Sequence, residues 1–493
     1  MSNRNFLSKL AGQTAIYGLS SIVGRLLNYL LTPLLTRVFT EGQYGVITEW
    51  YSYSGFLLVL FVYGMETAFF RYIRQAQDME RVYSTVMLSL LTSTALFVGL
   101  LIGFSGQLSG LINYAQHSEY LIWFALIIGL DAISAIPFAR LRYQERAYRF
   151  AGIKLVNIGV NVGLTLFFLL VCPVWADKYA FIGAWYQPDI GVGYVFIANL
   201  IAGIVTLLLL APELLKIQFK FDPILWKQMF RYALPLVVVG FAGIINEMLD
   251  RVILKYLLPY DPDTNQAMLG IYGACYKLSI LMSLFTQAYR FAAEPLFFAH
   301  ASQEDAPKLY AASMKYFVIA GTLIFIGVML FIDVFEHFIG EAFRVGLAVV
   351  PFLLLANLML GVYYNLSIWY KLSNKTQIGA YISLVGAAIT IALNVLLIPY
   401  FGYMGAAWAT LACYTVMVVM SYFIGQKHYP IPYETVRLSV YIGIGIALVV
   451  IDAYIVSDLK AIPALLIRLS LILAYMAYVY RKEMFKRRTV KHS

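Results

Sequence analysis

Long apolar runs follow one another along almost the whole chain of 493 residues. A helix needs about 20 mostly apolar residues to cross the hydrocarbon core of a bilayer. With 61% hydrophobic and only 13% charged residues, the composition also lies far from that of a soluble domain, which carries about 25% charged residues. We therefore predict an all-α integral membrane protein of about fourteen transmembrane helices. The predicted spans lie near Thr14–Leu35, Tyr44–Met65, Val82–Phe104, Tyr120–Phe138, Ile153–Val171, Gly191–Leu210, Tyr232–Tyr256, Met268–Phe291, Tyr316–Val334, Gly346–Trp369, Ile378–Ile398, Tyr403–Gly425, Leu438–Val456 and Ala461–Tyr480.

Lysine and arginine alternate between rich and poor segments from one loop to the next. If the N-terminus is cytoplasmic, the inside segments hold Arg4, Lys9, Arg71, Arg74, Arg81, Arg140, Arg142, Arg146, Arg149, Lys216, Lys220, Lys227, Arg231, Arg290, Lys308, Lys315, Lys371, Lys375, Lys427, Arg437 and the basic tail from Arg481 to Lys491. The outside segments hold Arg37, Lys178, Lys255, Arg344 and Lys460. Cytoplasmic loops of membrane proteins carry such an excess of positive charge. We predict a multi-pass protein of the inner membrane with an even number of spans and both termini in the cytoplasm.

Several classes of function are disfavoured by the sequence. The net charge of +10 follows from the loop bias, so we predict no nucleic-acid partner. The loops are too short for a nucleotide-binding domain, and the phosphate-loop motif G-x-x-x-x-G-K-[ST] does not occur. The three cysteines and five histidines have no metal-ligand spacing. We expect no cofactor, with H⁺ or Na⁺ as the coupling ion of a transporter.

Two short segments suggest an internal repeat. Gln43–Ile47 follows the first predicted span, and the similar Leu269–Gly273 follows the seventh. Asn161 and Asn394 hold matching places in the fifth and eleventh spans. We predict an N-lobe of residues 1–213, a C-lobe of residues 214–427, and a C-terminal pair of spans with a basic tail in residues 428–493. Parallel lobes related by a pseudo-two-fold axis along the membrane normal are a known transporter plan; chance similarity of apolar helices is the alternative.

Longer segments carry a family resemblance. They are Leu34–Phe39 leading into Gly42–Gly45, then Asn246–Arg251, Leu269–Leu278, Asn394–Pro399 and Phe401–Thr410. The chain resembles the polysaccharide-export branch, the Wzx-type O-antigen flippases, of the superfamily that also holds multidrug exporters and lipid II flippases. The resemblance implies a flippase that moves an undecaprenyl-diphosphate-linked oligosaccharide from the cytoplasmic to the periplasmic leaflet by alternating access. Surface polysaccharide or lipopolysaccharide synthesis, membrane lipids, and a polysaccharide polymerase or export machinery as partners are implied in the same way.

Cations within or at the ends of spans are the candidates for binding the diphosphate, and they are Arg25, Arg71, Arg140 and Lys277. Charge at membrane depth costs about 2.5–3.5 kcal/mol on insertion scales, so each such residue needs a reason. Arginine suits a diphosphate because its guanidinium bonds two oxygens at once. A structural ion pair is the alternative for Arg25, and positive-inside topology is the alternative for Arg71 and Arg140.

Acids within spans are the candidates for ion coupling: Asp131, Glu247 and Asp250. Arg251 lies four residues after Glu247, where it can neutralise that carboxylate across one helix turn. Structural ion pairs are the alternative for the whole set. Asn161 and Asn394 are assigned to the cavity or to hydrogen bonds between helices, and the second role is common for amides in membrane helices.

Two further functions compete with the flippase. A multidrug or cation antiporter of the same superfamily needs an acidic cavity to bind its cationic substrate. In this chain, the candidate cations within the spans are at least as many as the acids. A membrane glycan polymerase or ligase usually carries a large charged outer loop, and the outer loops of this chain are short. We therefore predict a secondary transporter and not an enzyme.

Overall fold

The computed structural model describes residues 22–24, 26–27, 29–74, 78–455 and 461–491. Their regular structure is helical. The helices are α1 Thr32–Val38, α2 Glu41–Val62, α3 Met65–Ile73, α4 Met79–Gly103, α5 Ser105–Leu111, α6 Ser118–Tyr143, α7 Ala147–Leu166, α8 Cys172–Trp175, α9 Ala180–Gly183, α10 Gly193–Leu214, α11 Pro223–Leu257, α12 Pro262–Ala299, α13 Ala306–Leu330, α14 Ile332–Phe335, α15 Val350–Leu366, α16 Ile368–Leu372, α17 Thr376–His428, α18 Thr435–Ile455 and α19 Ala461–Lys491. A π-helical turn, Phe167–Val171, joins α7 to α8, and 3₁₀ turns cover Pro188–Ile190, Glu336–Phe338 and Glu341–Val349.

Twelve helical stretches of the described residues are long and apolar enough to cross a membrane. One of them, α17, contains both the eleventh and the twelfth predicted spans. The first predicted span, Thr14–Leu35, lies mostly outside the described residues. All other predicted spans coincide with one stretch each, so the prediction of an all-α protein with about fourteen spans is confirmed.

The 53 residues of α17 form a helical hairpin that turns back at Gly402. Gly402 has φ 58° and ψ −141°, a combination open to glycine alone. Past the turn, a Cβ atom on Gly405 would lie 2.7 Å from the carbonyl of Leu397, and the Cys413 thiol donates to the Gly386 carbonyl at 3.3 Å. These contacts join residues that a straight helix would hold far apart. Residues 376–401 and 403–428 are therefore two antiparallel arms.

Local sequence signals set where helices begin. At the start of α2, Thr40 and Gln43 exchange side-chain-to-backbone hydrogen bonds in a capping box. At the start of α11, the Asp222 carboxylate accepts from the backbone N–H groups of Ile224 and Leu225 at 3.0 Å, with Pro223 in the first helical position. Both arrangements satisfy amide groups that a helix start leaves without partners.

The chain forms two compact units, residues 1–270 and residues 271–493. The first unit contains all of α11, because the N-terminal part of that helix belongs to the unit's core. Met229 and Ala233 of α11 are fully buried with Phe69 of α3 and Val86 of α4. The lobes predicted from the sequence repeat divide the chain earlier, at residues 213 and 214, and stay a prediction.

In the second unit, α15 packs along the α17 hairpin and α13 packs along α18. Close approach of α13 and α18 depends on Gly445, where a Cβ atom would collide with Thr322. Ion pairs hold the C-terminal helices at both ends of this contact. Lys315 of α13 bonds Glu483 of α19 at 2.6 Å, and Arg468 of α19 bonds Asp333 of α14 at 2.6 Å. The two C-terminal spans are thus bound to α13 and α14 and are not a loose appendage.

Local geometry in the two units repeats. Glu145 after α6 and Asn374 after α16 both have a left-handed φ of 56°, and both turns close with a hydrogen bond from the next residue back to the chain, Arg146 to Leu141 and Lys375 to Tyr370. Such turns are a usual way to end a helix. The same turn at matching places in each unit agrees with an internal repeat.

Candidate functional site

A line of polar side chains runs through the helices of the first unit. Asp131 lies near the middle of α6 and interacts electrostatically with Lys154 of α7. Tyr51 of α2 interacts with the same carboxyl group and accepts a hydrogen bond from Asn199 of α10 at 3.1 Å. Four helices therefore direct polar groups to one level of this unit.

The line continues towards the predicted cytoplasmic end of the unit. Lys154 lies 4.2 Å above the ring of Phe138 and interacts electrostatically with Glu66 and Arg142 as well as with Asp131. Glu66 of α3 and Arg142 of α6 form an ion pair, and both side chains keep about a third of their surface exposed. The line thus contains two cations, Lys154 and Arg142, and two acids, Glu66 and Asp131.

Arg140 lies in a separate ionic cluster at the predicted cytoplasmic end of the unit. Its side chain is buried; it pairs with Glu80, and its Nε lies 3.3 Å from Glu213. Glu213, which is fully buried, also bonds Arg149 at 3.1 Å and Lys216 at 3.2 Å. Two acids hold this cluster of cations together. The diphosphate role predicted for Arg140 stays a prediction, and these contacts give the side chain a structural task.

A second buried cluster lies at the predicted outer end of the unit. Glu49 of α2 is fully buried, and both of its oxygens accept from Lys255 of α11 at 3.1 Å. Tyr53 and Tyr114 donate to the same carboxylate at 2.8 and 2.6 Å, and Gln266 of α12 donates at 3.1 Å. Five hydrogen bonds reach the two oxygens of the carboxylate, and they offset the cost of burying the charge.

The sequence prediction missed this cluster. Lys255 was counted among outside-loop residues, but it is 6% exposed and points into the protein. The available signal was Glu49 itself, an acid within the predicted span Tyr44–Met65. A charge at membrane depth should have called for a buried partner of opposite sign.

The second unit has its own charged site, between α12 and the end of α15. Glu294 of α12 pairs with Lys371 of α16 and with Arg290 one turn earlier at 3.3 Å. These residues line a cleft with Tyr289, Tyr364, Asn365 and Thr286. The sequence prediction missed this site too, because Arg290 and Lys371 were interpreted only as marks of inside loops.

The remaining predicted site residues are dispersed. Arg25 lies outside the described residues. Arg71 is exposed and its guanidinium lies 4.2 Å above the ring of Tyr232. Lys277 is half-buried in α12 of the second unit. The diphosphate-binding role of all three stays a prediction.

The acids predicted on α11 differ in their surroundings. Glu247 is exposed and makes no ion pair with Arg251 in the described part of the chain. Asp250 is buried, and Arg251 is half-buried. Neutralisation of Glu247 by Arg251 and ion coupling through Glu247 or Asp250 stay predictions.

Two amides within spans, Asn157 and Asn357, form hydrogen bonds between helices. Asn157 donates to Thr206 of α10 at 2.8 Å, and Asn357 bridges α15 to Ser279 and Ser283 of α12. Asn394 is fully buried and donates to the carbonyl of Thr390 on its own helix. The side-chain oxygens of Asn161 and Asn394 are buried with no hydrogen-bond partner among the described residues.

The described residues contain no group of three or more metal-ligating side chains. A model of the family described as "Polysaccharide biosynthesis protein" matches residues 10–300, which is more than half of the chain. The chain belongs to this family. The resemblance seen in the sequence motifs is thereby confirmed.

Relatives agree with this assignment. The chain is 21% identical over 412 residues to the "Probable low-salt glycan biosynthesis flippase Agl15" of Haloferax volcanii, an alignment that covers 82% of this chain and 80% of the relative. Its fold is similar to that of the lipid II flippase MurJ in an inward closed conformation, with a TM-score of 0.67, 14% identity and coverage of 95% and 99%. It is also similar to an inward-facing multidrug resistance MATE family transporter, with a TM-score of 0.61, 13% identity and coverage of 89% and 96%. The protein is a multi-pass membrane protein with the fold of these transporters.

Proposed function

We propose that this protein is a flippase that moves an undecaprenyl-diphosphate-linked oligosaccharide from the cytoplasmic to the periplasmic leaflet of the inner membrane. It works by alternating access, without covalent chemistry, for the synthesis of a surface polysaccharide such as O-antigen. Both termini lie in the cytoplasm, and a polysaccharide polymerase or export machinery takes over the product.

The proposal is supported first by the family and by the Haloferax relative, whose name is that of a glycan biosynthesis flippase. The MurJ-like fold supports transport of a lipid-linked glycan but is shared with multidrug transporters. Fold alone does not determine function.

The observation that carries the proposal is the polar line of the first unit, from Glu66 and Arg142 through Lys154 to Asp131 and Tyr51. A diphosphate and a glycan need charged and hydrogen-bonding groups at every level of the membrane. Ionisable groups at membrane depth are costly and mark transport pathways by default. A scaffold protein would have no use for such a line.

Within this function we propose that Asp131 is the ion-coupling residue. Asp131 lies at mid-helix and has Lys154 as its electrostatic partner, so uptake of H⁺ or Na⁺ would change the balance of charge among α2, α6 and α7. Asp131→Asn should leave the amount of folded protein unchanged and abolish the dependence of transport on the ion gradient. Transport that responds to the gradient as in the wild type would disprove the coupling role.

The deciding experiment is deletion of the gene, followed by extraction of lipid-linked oligosaccharides, with surface polysaccharide and drug sensitivity measured in the same strains. We expect diphosphate-linked oligosaccharide to accumulate and surface polymer to disappear, both reversed by the wild-type gene. Unchanged glycolipids with raised drug sensitivity would favour the multidrug antiporter that the MATE-like fold allows. Accumulation of unpolymerised glycan on the outer leaflet would favour a polymerase or ligase.

A further inference from the structure

Four cations surround one buried acid at the predicted cytoplasmic end of the first unit. The carboxylate of Glu213, at the end of α10, is fully buried and lies 3.1–3.4 Å from a nitrogen atom of each cation, which are Arg140, Arg146, Arg149 and Lys216. Glu80 adds a second acid through its pair with Arg140. The cluster thus holds four positive and two negative charges, so neutralisation of the acids leaves positive charge over.

The remaining positive charge lies at the surface. Arg140 is buried, whereas the side chains of Arg146, Arg149 and Lys216 are 46%, 34% and 39% exposed. Arg146 and Arg149 also lie at the N-terminal end of α7, which has no acid in its first turn. Cations at that end of a helix oppose its dipole, so the stability of α7 does not explain them. A buried carboxylate therefore holds three partly exposed cations together where they can bind an anion.

Large apolar side chains are exposed beside these cations, in the loop of residues 215–222 and the first turn of α11. Leu215 and Phe219 are 85% and 90% exposed, and Ile224 is 72% exposed. Lys216 and Lys220 of the same loop are exposed as well. The outer surface of the loop therefore combines cations with apolar side chains.

The backbone of this loop is bound to the start of α4. The N–H group of Gln218 donates to Oγ of Ser84 at 2.9 Å, and the N–H group of Asp222 donates to Oγ1 of Thr85 at 3.4 Å. The Asp222 carboxylate also pairs with Arg81 at 2.5 Å. A loop fixed in this way keeps its exposed apolar side chains outside the core of the unit, and exposed apolar surface of this kind indicates a binding partner.

The surface of the membrane is the partner that this chemistry fits. The loop joins α10 to α11, and both helices are long and apolar enough to span a membrane, so the loop lies at the level of the lipid headgroups. Anionic lipids of the cytoplasmic leaflet attract lysine and arginine near the surface. Apolar side chains next to such cations enter the boundary between headgroups and acyl chains.

We propose that Arg146, Arg149 and Lys216 form a binding site for the phosphodiester headgroup of an anionic phospholipid, with Leu215 and Phe219 inserted among the neighbouring acyl chains. The forked guanidinium groups of the two arginines bind the phosphate oxygens, and the Lys216 ammonium adds a third positive charge. This lipid is a constituent of the membrane and not the transported substrate. The site binds the adjoining ends of α7, α10 and α11 to the cytoplasmic leaflet.

Native mass spectrometry of the full, delipidated chain in mild detergent tests headgroup binding, with phosphatidylglycerol and phosphatidylcholine as probes. Phosphatidylglycerol should bind the wild type more tightly than phosphatidylcholine. Arg146→Gln, Arg149→Gln and Lys216→Gln should each weaken its binding about fivefold, and together about a hundredfold, because each cation near an anionic lipid contributes to the attraction. Lys308→Gln, which changes an exposed cation of the second unit, is the matched control and should bind like the wild type.

Two further arms separate the headgroup from the fold and from a soluble anion. Arg146→Lys and Arg149→Lys keep the charge and should keep the preference for phosphatidylglycerol; loss of that preference in these variants at an unchanged melting temperature would contradict the electrostatic role. Inorganic phosphate, added at constant ionic strength, should not displace phosphatidylglycerol, because it has no acyl chains. Displacement would make the cluster a site for soluble phosphate and overturn the proposal.

Insertion of the loop is measured with a nitroxide label in nanodiscs that contain phosphatidylglycerol. On a background without Cys172, Cys275 and Cys413, a label at Phe219→Cys should collide more often with oxygen, which concentrates in lipid, than with a water-soluble nickel complex. A label at Gln303→Cys, an exposed position of the second unit, should show the reverse. A Phe219→Cys label reached mainly by the nickel complex would leave the loop in water, available to a soluble partner, and would overturn the proposal.

Equal affinity of the wild type for the two lipids, or a triple variant that binds phosphatidylglycerol as tightly as the wild type, would also overturn it. None of these results bears on the flippase itself, which depends on the glycolipids that accumulate in the deletion strain.

Discussion

Buried charges set much of the residue-scale chemistry of this protein. Glu49 and Lys255 are both nearly inaccessible. Besides their ion pair, Glu49 accepts three hydrogen bonds, and Lys255 donates one to the carbonyl of Ile112 at 3.1 Å and lies 4.3 Å above the ring of Tyr114. A buried pair of this kind adds little net stability over an apolar pair, but removal of one partner leaves a charge with nothing to balance it. The pair therefore fixes which surfaces of α2 and α11 meet.

Lys255→Met should destabilise the protein by about 3–5 kcal/mol, because it leaves the Glu49 carboxylate buried without its cation. Glu49→Gln combined with Lys255→Met should recover much of that loss. Thermal unfolding of the purified single and double variants in detergent measures the loss and its recovery. Lys227→Met on the same helix, where the lysine is exposed, is the control; equal melting temperatures for Lys255→Met and Lys227→Met would contradict the prediction.

Asp222 predicts a pH dependence. It caps α11 and bonds Arg81 at 2.5 Å, and the hydrogen bond from the Leu225 backbone, with that of Arg81, holds the pKa of its carboxyl group below the usual value. A carboxyl group whose pKa is lower in the folded than in the unfolded state stabilises the fold fully above its unfolded pKa of about 3.9. That stabilisation is lost as the pH falls through the lower folded-state pKa.

Asp222→Asn keeps the cap and removes the charge, so the wild type should melt at a higher temperature than the variant near neutral pH. The difference should shrink as the pH is lowered below about 4. Melting curves across that range measure it. A difference that stays constant down to the lowest pH would show that the charge of Asp222 contributes nothing.

At the scale of the helices, glycine decides where spans end and how closely they pack. The apolar pattern predicts two spans around Pro399–Tyr403 and the structure has two arms there, but the reversal itself depends on the backbone of Gly402. Helix propensity and hydropathy carry no information on that angle. In the C-terminal spans, ion pairs join the helices instead: Arg468 bonds Asp452 at 3.2 Å and Asp333 at 2.6 Å.

Gly402→Ala should cost about 1–3 kcal/mol, since a Cβ atom at this φ and ψ is strained whatever surrounds it. Gly99→Ala is a matched control within α4, because nothing lies within 4 Å of a Cβ atom there and alanine favours a helix over glycine. It should be neutral or slightly stabilising. The melting temperatures of the two variants in detergent measure the difference. If Gly402→Ala is as stable as Gly99→Ala, a side chain at position 402 does not strain the turn of the hairpin.

At the scale of the whole molecule, the alternation of basic loops makes a topological prediction. Gln303, after α12, lies in a segment predicted to be cytoplasmic, and Asp177, after α8, lies in one predicted to be periplasmic; both are exposed. The natural cysteines Cys172, Cys275 and Cys413 are buried and can be replaced by alanine or serine as a background.

Asp177→Cys should react with an impermeant maleimide in intact cells, and Gln303→Cys only after the inner membrane is opened. Labelling by mass shift on a gel measures both. The reverse pattern would show that the predicted orientation of the whole protein is inverted. Equal labelling of both positions in intact cells would show that they lie on the same side of the membrane, which contradicts the predicted spans between them.

The sequence by itself determined the class of fold, the positions of the spans and the family. Each of these depends on signals that are local or additive: twenty apolar residues make a span wherever they occur, loop charge is summed segment by segment, and the family motifs are contiguous. The amide hydrogen bonds of Asn157 and Asn357 were predictable in kind for the same reason, since a polar group in a span needs a partner.

Only the tertiary structure decided which charges meet. Glu49 and Lys255 are 206 residues apart, and Arg142 and Glu66 are 76 apart. No spacing rule connects residues on different helices, because each helix can rotate about its axis without any change in its sequence pattern. For that reason the cations that stand out within spans did not include Arg290 or Lys371. Helix packing brings side chains from different helices together and so decides which charges are neutralised by a partner.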